Sequence, residues 1–449
     1  MKKFIYILTA VALLTSCDDL LDVKPIDTVD SDLAIKTSAD VEGLLVGAYN
    51  ALADGDLLGG NMQRDSELMG DGGEIFWDGT FTAPGEIYAK DMLITNDQAR
   101  QTWLDAYYCI NICNQVLKNL NLVTEDRVGR VEGEAKFIRG LVYFELVRLY
   151  ARTYVDGNPS TNPGVPIVTE NDDASALIGR SSVQEVYDLV LSDISTASLQ
   201  LPDVNNFFAT KYSAYAMLSR VYLMQNDYSN ATLYADSVIQ SGEFSLNADF
   251  EDAFNKTSLA GSDRDGNGNA SKEDVFAIQL TSQDGINNLN TFFASADFGG
   301  RGDIFVDPPH LDLYESGDER RDLFYDDEYT SRFNNLFGNV PIVRVSEMYL
   351  TRAEGNYREG TNIGDTPLND VNFIRDRADL APLGSIVSVD VILSERRLEL
   401  AFEGHQLHDL KRTQQDVGGM PFDDPYLIFP IPFREISINP DLEQNEAYQ

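Results

Sequence analysis

Between Lys211 and Gly242, apolar residues recur at helical spacing on both sides of a polar break. Ala214, Leu218 and Val221 mark one stripe, widened by Met217 and Tyr222. The Gln225-Asn226-Asp227 turn is too polar to bury and too short to let two helices part. Ala231, Tyr234, Ala235, Val238 and Ile239 then repeat the helical pattern, with Ser229 expected as cap and Gly242 as the left-handed residue beyond the end. The stretch predicts a helical hairpin of the tetratricopeptide kind, which cannot bury its apolar face without neighbours stacked on it.

Other segments carry the same period. Val41, Leu44, Leu45 and Ala48 predict a helix from about Ala39, and another runs from Thr102 to about Leu120. Ala135, Ile138, Val142 and Leu149 share a face of a long helix over Val131–Tyr150. Ser182 and Glu185 form a capping box before Val186, Leu189, Val190 and Ile194. Later helices are expected at Val345–Tyr357, after Thr366-Pro367, and from about Ile392 to Glu403. Asp54–Gly85 is Gly-rich and acidic and reads as a loop, yet it holds Phe76, Trp77 and Phe81. Residues 246–340 read as an irregular lobe with one strand at Val275–Ile278, and prolines keep Ile428–Pro432 extended. The fold class expected is mainly α: tetratricopeptide-like hairpins as a scaffold, with a loop-rich lobe and a few short strands.

The first residues are a targeting segment. Lys2 and Lys3 precede an apolar run, Phe4–Leu14, and Leu14-Thr15-Ser16-Cys17 matches a lipoprotein signal whose Cys17 is lipidated. The expected division is a signal peptide over 1–16, a helical region over 17–245 and a second region over 246–449 packed with the first as one body. Formal net charge is -39. Such a surface repels phosphate, which argues against nucleic acid and against docking on anionic lipid, and leaves the N-terminal lipid as the membrane contact. Cys109 and Cys113, four apart on one predicted helix, are expected as buried free thiols.

Several strings, in order, carry a family resemblance. They are GEAKFIRGLVYFELVRLY (133–150), RSSVQEVYDLVLSDI (180–194), PIVRVSEMYLTRAEG (341–355), LNDVNFIRDRA (368–378), SERRLELAFEGHQLHDLKR (394–412) and IPFREISINPDLEQN (431–445). The chain resembles the SusD/RagB family of outer-membrane nutrient-binding lipoproteins over nearly its whole length; His408 stands where that family more often has an aromatic residue. The resemblance implies four tetratricopeptide-like hairpins and a function without chemistry: capture of oligosaccharide or polysaccharide at the cell surface for a partner SusC-like TonB-dependent transporter. Within these strings Glu134, Arg139, Arg344, Glu347, Glu354, Arg396 and Glu399 are expected as ion-paired scaffold, because opposite charges alternate on helices.

Two other classes compete. A glycoside hydrolase needs a paired carboxylate, and the abundance of acidic residues singles out no pair. Gly-x-Ser-x-Gly, HExxH and P-loop motifs are absent from the sequence, and His405, His408 and Asp409 are expected to be packed or solvated, not metal ligands. A tetratricopeptide-like scaffold that binds only protein has no need of Trp77 in a Gly/Asp loop. The expectation is therefore a glycan-binding protein, not an enzyme, in which flat rings stack on sugar C–H faces beside hydrogen-bonding side chains. Asp71, Phe76, Trp77 and Phe81 from the first loop are the candidates, with Phe298, Arg301, Tyr329 and Arg332 from the irregular lobe. No cofactor is required. A calcium ion is possible at Asp263–Asp274, where Asp263, Asp265, Asn267, Asn269 and Asp274 fall at calcium-loop spacing, though the last position carries Asp, not Glu.

Overall fold

The structure is a computed structural model and describes residues 35–169, 177–254, 271–280, 282–283, 285–386 and 388–449. Cys17 and its signal lie outside these residues, as do Asp263, Asp265, Asn267 and Asn269.

Four helical hairpins stack in sequence. α1 (Ser38–Leu52) pairs with α4 (Asp97–Lys118), and α5 (Val128–Tyr150) with α6 (Val183–Gln200). α7 (Lys211–Met224) pairs with α8 (Tyr228–Ile239), and α11 (Val345–Glu359) with α12 (Pro367–Arg377). Successive pairs touch through α4 and α5, α6 and α7, and α8 and α11, so each hairpin buries the stripe its neighbour leaves open. One apolar core runs through them from Val41 to Ile431. The expected capping box at Ser182 and Glu185 is present. At α8 the cap is Asp227, whose carboxylate accepts the Asn230 N–H at 3.1 Å; Ser229 already lies inside the helix.

Two expectations of irregular chain are corrected. Asp54–Gly85 contains α2 (Asn61–Gly70), β1 (Ile75–Trp77) and the start of α3 (Thr82–Ala89). α2 escapes a periodicity search because all ten of its residues are buried, Arg64, Asp65 and Glu67 among them. It lies against α14 (Gln406–Arg412) so closely that a Cβ on Gly70 would come 2.7 Å from the Leu407 backbone nitrogen. The 246–340 lobe holds more order than one strand. β2 (Asp274–Ile278) pairs antiparallel with β6 (Val340–Arg344), and α9 (Asn288–Phe293) follows β2. β3 (Ile304–Val306) leads into the one-turn helix α10 (Pro308–Leu311), and β4 (Phe324–Tyr325) forms a small hairpin with β5 (Tyr329–Thr330).

The charged residues of the family-like strings are interior pairs. Arg139 holds Asp193 at 2.7 Å, Arg412 holds Glu354 at 2.7 Å, Arg220 holds Glu347 at 2.5 Å, and Arg396 reaches Asp409 at 2.8 Å. Arg344 contacts Glu273 at 2.6 Å, Glu399 at 3.0 Å and Glu403 at 2.7 Å. Paired this way, each buried charge gains Coulomb attraction that offsets part of its desolvation cost. α13 (Val389–Glu399) contributes Arg396 and Glu399, and α15 (Phe433–Ile438) is the last α-helix among the described residues. Cys109 and Cys113 are free and buried.

Candidate functional site

The site forms where β1 meets β3. Asp71 makes this possible: one oxygen of its carboxylate accepts the N–H groups of Gly73, Glu74 and Ile75 at 3.0, 2.8 and 3.0 Å. The chain thereby reverses after α2 and enters the strand. β1 pairs antiparallel with β3 in the register Ile75↔Val306, Phe76↔Phe305 and Trp77↔Ile304. Successive strand residues point to opposite faces, so Trp77 and Phe76 start two groups.

Trp77 is half-buried, its ring 6.0 Å from Phe292, and Phe81 lies 6.2 Å from the same ring. Gly79 and Gly85 lie against the indole, and any side chain at Gly79 would run into it. The Arg301 guanidinium sits 4.5 Å over Phe81, donates from Nε to Asp303 at 2.8 Å and reaches the Thr80 hydroxyl at 3.2 Å. On the other side, Phe76 meets Tyr88 edge-on at 6.4 Å. Phe305, opposite it, is followed by a chain of rings: Tyr329 at 5.4 Å, then stacked Tyr325 at 5.5 Å, then Phe298 at 5.5 Å. The groups meet at the strand end, where the Asp78 N–H donates to the Asp303 carbonyl at 2.9 Å and Gly302 lies against the Tyr329 ring. Phe76, Phe81 and Phe298 are 46, 48 and 44% exposed. These rings keep apolar area in contact with water although neighbouring rings lie beside them.

Six of the candidates from the sequence fall in these two groups: Trp77, Phe81 and Arg301 in one, and Phe76, Phe298 and Tyr329 in the other. Two do not, and this corrects the expectation. Arg332 points inward, donating to the carbonyls of Glu399 and Leu398 at 3.2 and 3.1 Å and lying over Phe250 and Phe254. Asp71 is buried and spends its carboxylate on the turn. Tyr325, Phe305 and Asp78 belong to the face but were missed. A signal existed for Tyr325: an Asp326-Asp327 pair between Phe324-Tyr325 and Tyr329 suits a tight hairpin turn, and both residues take the left-handed conformation, with φ of 53° and 55°.

Electrostatics under the ribbon are settled by pairing. Burial would raise the Glu74 carboxyl, but the hydrogen bond from His310 at 2.6 Å and the charge of Arg397 outweigh it and hold it at about 2. Burial pushes His310 down to about 4 despite Glu74, so the ring is neutral at pH 7. Burial also pushes His405 and His408 well below the usual histidine range, in keeping with packed residues. At the surface, burial and then the charge of Glu328 raise the Tyr329 hydroxyl.

Two other places gather polar side chains. A cavity of ≈ 330 Å³ lies between α13 and α14, but its Arg397 is spent on Glu74 and its Arg396 on Asp409. Near the α1–α4 groove, Asp54, Asp56 and Asp105 bring carboxylate oxygens within 4.8 Å of one another, a spacing that can hold a cation. Burial, then Asp54 and Asp56, push Asp105 up to about 6. Of the calcium-loop candidates only Asp274 is described: it starts β2 opposite Arg344 and is buried.

A stack of four helical hairpins with a short ribbon at its side defines a tetratricopeptide-like helical protein. Residues 19–223 match a family described as starch-binding and associating with the outer membrane, and residues 319–424 match the SusD family. The chain belongs to the SusD/RagB family. It is similar to the SusD-like protein P2 of Formosa agariphila, 26% identical over 92% of this chain and 91% of that one. It shares its fold with a SusD superfamily protein from Bacteroides vulgatus, with a TM-score of 0.81, 21% identity and coverage of 92% of this chain and all of the other. Surface glycan-binding protein A from Bacteroides uniformis matches at a TM-score of 0.76 and 21% identity, over 92% of this chain and 100% of that one. Among the described residues, no helix is long and apolar enough to cross a membrane.

Proposed function

We propose that the chain captures oligosaccharide or polysaccharide on the β1–β3 aromatic face. The observation that carries this reading is the set of half-exposed rings, Trp77, Phe81 and Phe298 foremost, held beside carboxylates and Arg301. Rings offer flat apolar area to sugar C–H faces, and the flanking polar groups match hydroxyls. A family described as starch-binding, and a structural neighbour named for surface glycan binding, support it. The protein acts without catalysis, anchored in the outer membrane through lipid on Cys17, facing the exterior and passing glycan to a SusC-like TonB-dependent transporter.

A glycan array tests the capture step. Binding that disappears in Trp77→Ala, with the variant still folded, is the expected outcome; binding untouched by Trp77→Ala and by Phe81→Ala places the ligand elsewhere. Protease shaving of whole cells tests orientation, and protection in intact cells means the protein faces the periplasm. Affinity capture of the lipidated protein from solubilised outer membranes tests the transporter partnership.

A further inference from the structure

Beyond glycan capture, and resting on that reading, we propose that the aromatic face selects uncharged polysaccharide and rejects sulfated or uronate-rich chains. The charges around the rings are one-sided. Asp78 lies at the strand end beside Trp77 and acts on Tyr329, and Asp297 precedes Phe298. Asp326, Asp327 and Glu328 form the exposed turn between the stacked rings of Tyr325 and Tyr329. Asp303 lies between the two groups of rings. The arginines that lie against these rings are already committed. Arg301 is bound to Asp303 at 2.8 Å and flattened on Phe81, and Arg321 is bound to Asp327 at 3.0 Å.

Hydrogen-bond type and Coulomb's law point the same way. An ionised carboxylate only accepts, so this face satisfies sugar hydroxyls, which donate. A sulfate or uronate also only accepts, and finds no partner among these carboxylates. Sites for anionic groups hold an arginine fork with no carboxylate partner, whereas Arg301 and Arg321 each already carry one. An anionic substituent stacked at Trp77 or Tyr329 would also neighbour Asp78 or the Asp326–Glu328 turn, and like charges repel over about 8 Å at physiological salt.

The test uses the purified protein and matched pairs of chains: neutral glucans, galactans, xylans and mannans, each beside its chemically sulfated derivative, with alginate and pectate added. Binding is measured by calorimetry at low and high salt. Expected is Trp77-dependent binding of at least one neutral chain, weakened tenfold or more by sulfation, with the penalty shrinking at high salt. The double variant Asp78→Asn, Glu328→Gln should cut that penalty several-fold. An anionic chain that binds as tightly as its neutral partner, and is lost in Trp77→Ala, overturns the charge selection while leaving glycan capture standing. A sulfation penalty unchanged by the double variant also overturns it. Failure of every chain in both sets to bind in a Trp77-dependent way removes the glycan reading itself, and this inference with it.

Discussion

Arg301 sits 4.5 Å over Phe81 at the surface, and Arg344 sits 5.2 Å over Phe254 in the interior. Each also grips carboxylates: Asp303 for Arg301, and Glu273, Glu399 and Glu403 for Arg344. The same chemistry serves opposite ends because water reaches one and not the other. The Arg301 side chain is 41% exposed, so its pair is screened and its ring retains an open face. Arg344 is sealed, with Arg377 and Arg320 around the same Glu399, and no ligand can reach it. The interior cluster ties the lobe to the helical stack, and the surface cluster stays open to water.

The largest effect should come from breaking the interior cluster. Arg344→Met leaves Glu273, Glu399 and Glu403 short of a partner in a dry site, and a buried pair broken on one side costs ~3–5 kcal/mol. Urea unfolding measures it. A loss below ~1 kcal/mol would make the interior cluster no more important to the fold than a surface pair.

The same cluster titrates in two directions. Burial would raise Glu399, but Arg377, Arg344 and Arg320 hold it at about 2, below its ordinary 4.5. Its contribution is therefore complete above pH 4.5 and is lost as pH falls toward 2. Burial pushes Asp274 the other way, from 3.8 up to about 7, only partly offset by Arg344. A raised carboxyl favours the fold at low pH, and that contribution is lost as pH rises through 7. Asp274→Asn should therefore stabilise the protein at pH 8 by on the order of 2 kcal/mol, with the gain gone near pH 4. Unfolding curves at both pH values check it, in chelator so that no bound cation masks the carboxylate. An equal effect at both would mean that the charge of Asp274 is not what matters.

The helical stack was legible because its stripes repeat at helical spacing, as in Ala214, Leu218 and Val221. α2 was not, since Asn61, Arg64, Asp65 and Glu67 are buried through pairing and not through apolarity. Glu67 is satisfied by the Gly404 and His405 N–H groups and by Arg397, far along the chain, and no local pattern announces such partners. Within the site, Phe76, Trp77 and Phe81 were visible as rings in a polar loop. Their strand partner Phe305 was hidden by distance in sequence. Arg332 misled because it follows the exposed Asp326–Glu328 turn closely, yet the chain bends inward at Thr330 and carries it under Phe250.

Trp77 tests the surface side of the comparison. Trp77→Ala should weaken glycan binding at least tenfold, roughly 1.4 kcal/mol or more. It should also cost the fold something, because the indole rests on Phe292 and the Gly79–Gly85 segment; about 1–2 kcal/mol suits a half-buried ring. Calorimetric binding beside thermal unfolding separates the two. A loss of stability near that of Arg344→Met, with binding kept, would assign Trp77 to the core.

The smallest effect is expected at Arg301. Its exposed contact with Phe81 is worth ~0.5–1 kcal/mol and its surface pair with Asp303 ~0–1 kcal/mol, and the freed side chain regains rotamer entropy. Arg301→Ala should thus leave stability within about 0.5 kcal/mol of the starting protein. Binding should change more than folding, because Asp303 loses its counter-charge and the Phe81 ring loses the guanidinium that fixes it. Arg301→Lys keeps the charge but loses the planar fork, so it should restore the electrostatics and only part of the ring's order. Measured side by side, the two variants divide charge from stacking. A stability loss in Arg301→Ala as large as that in Arg344→Met would erase the distinction between the two clusters.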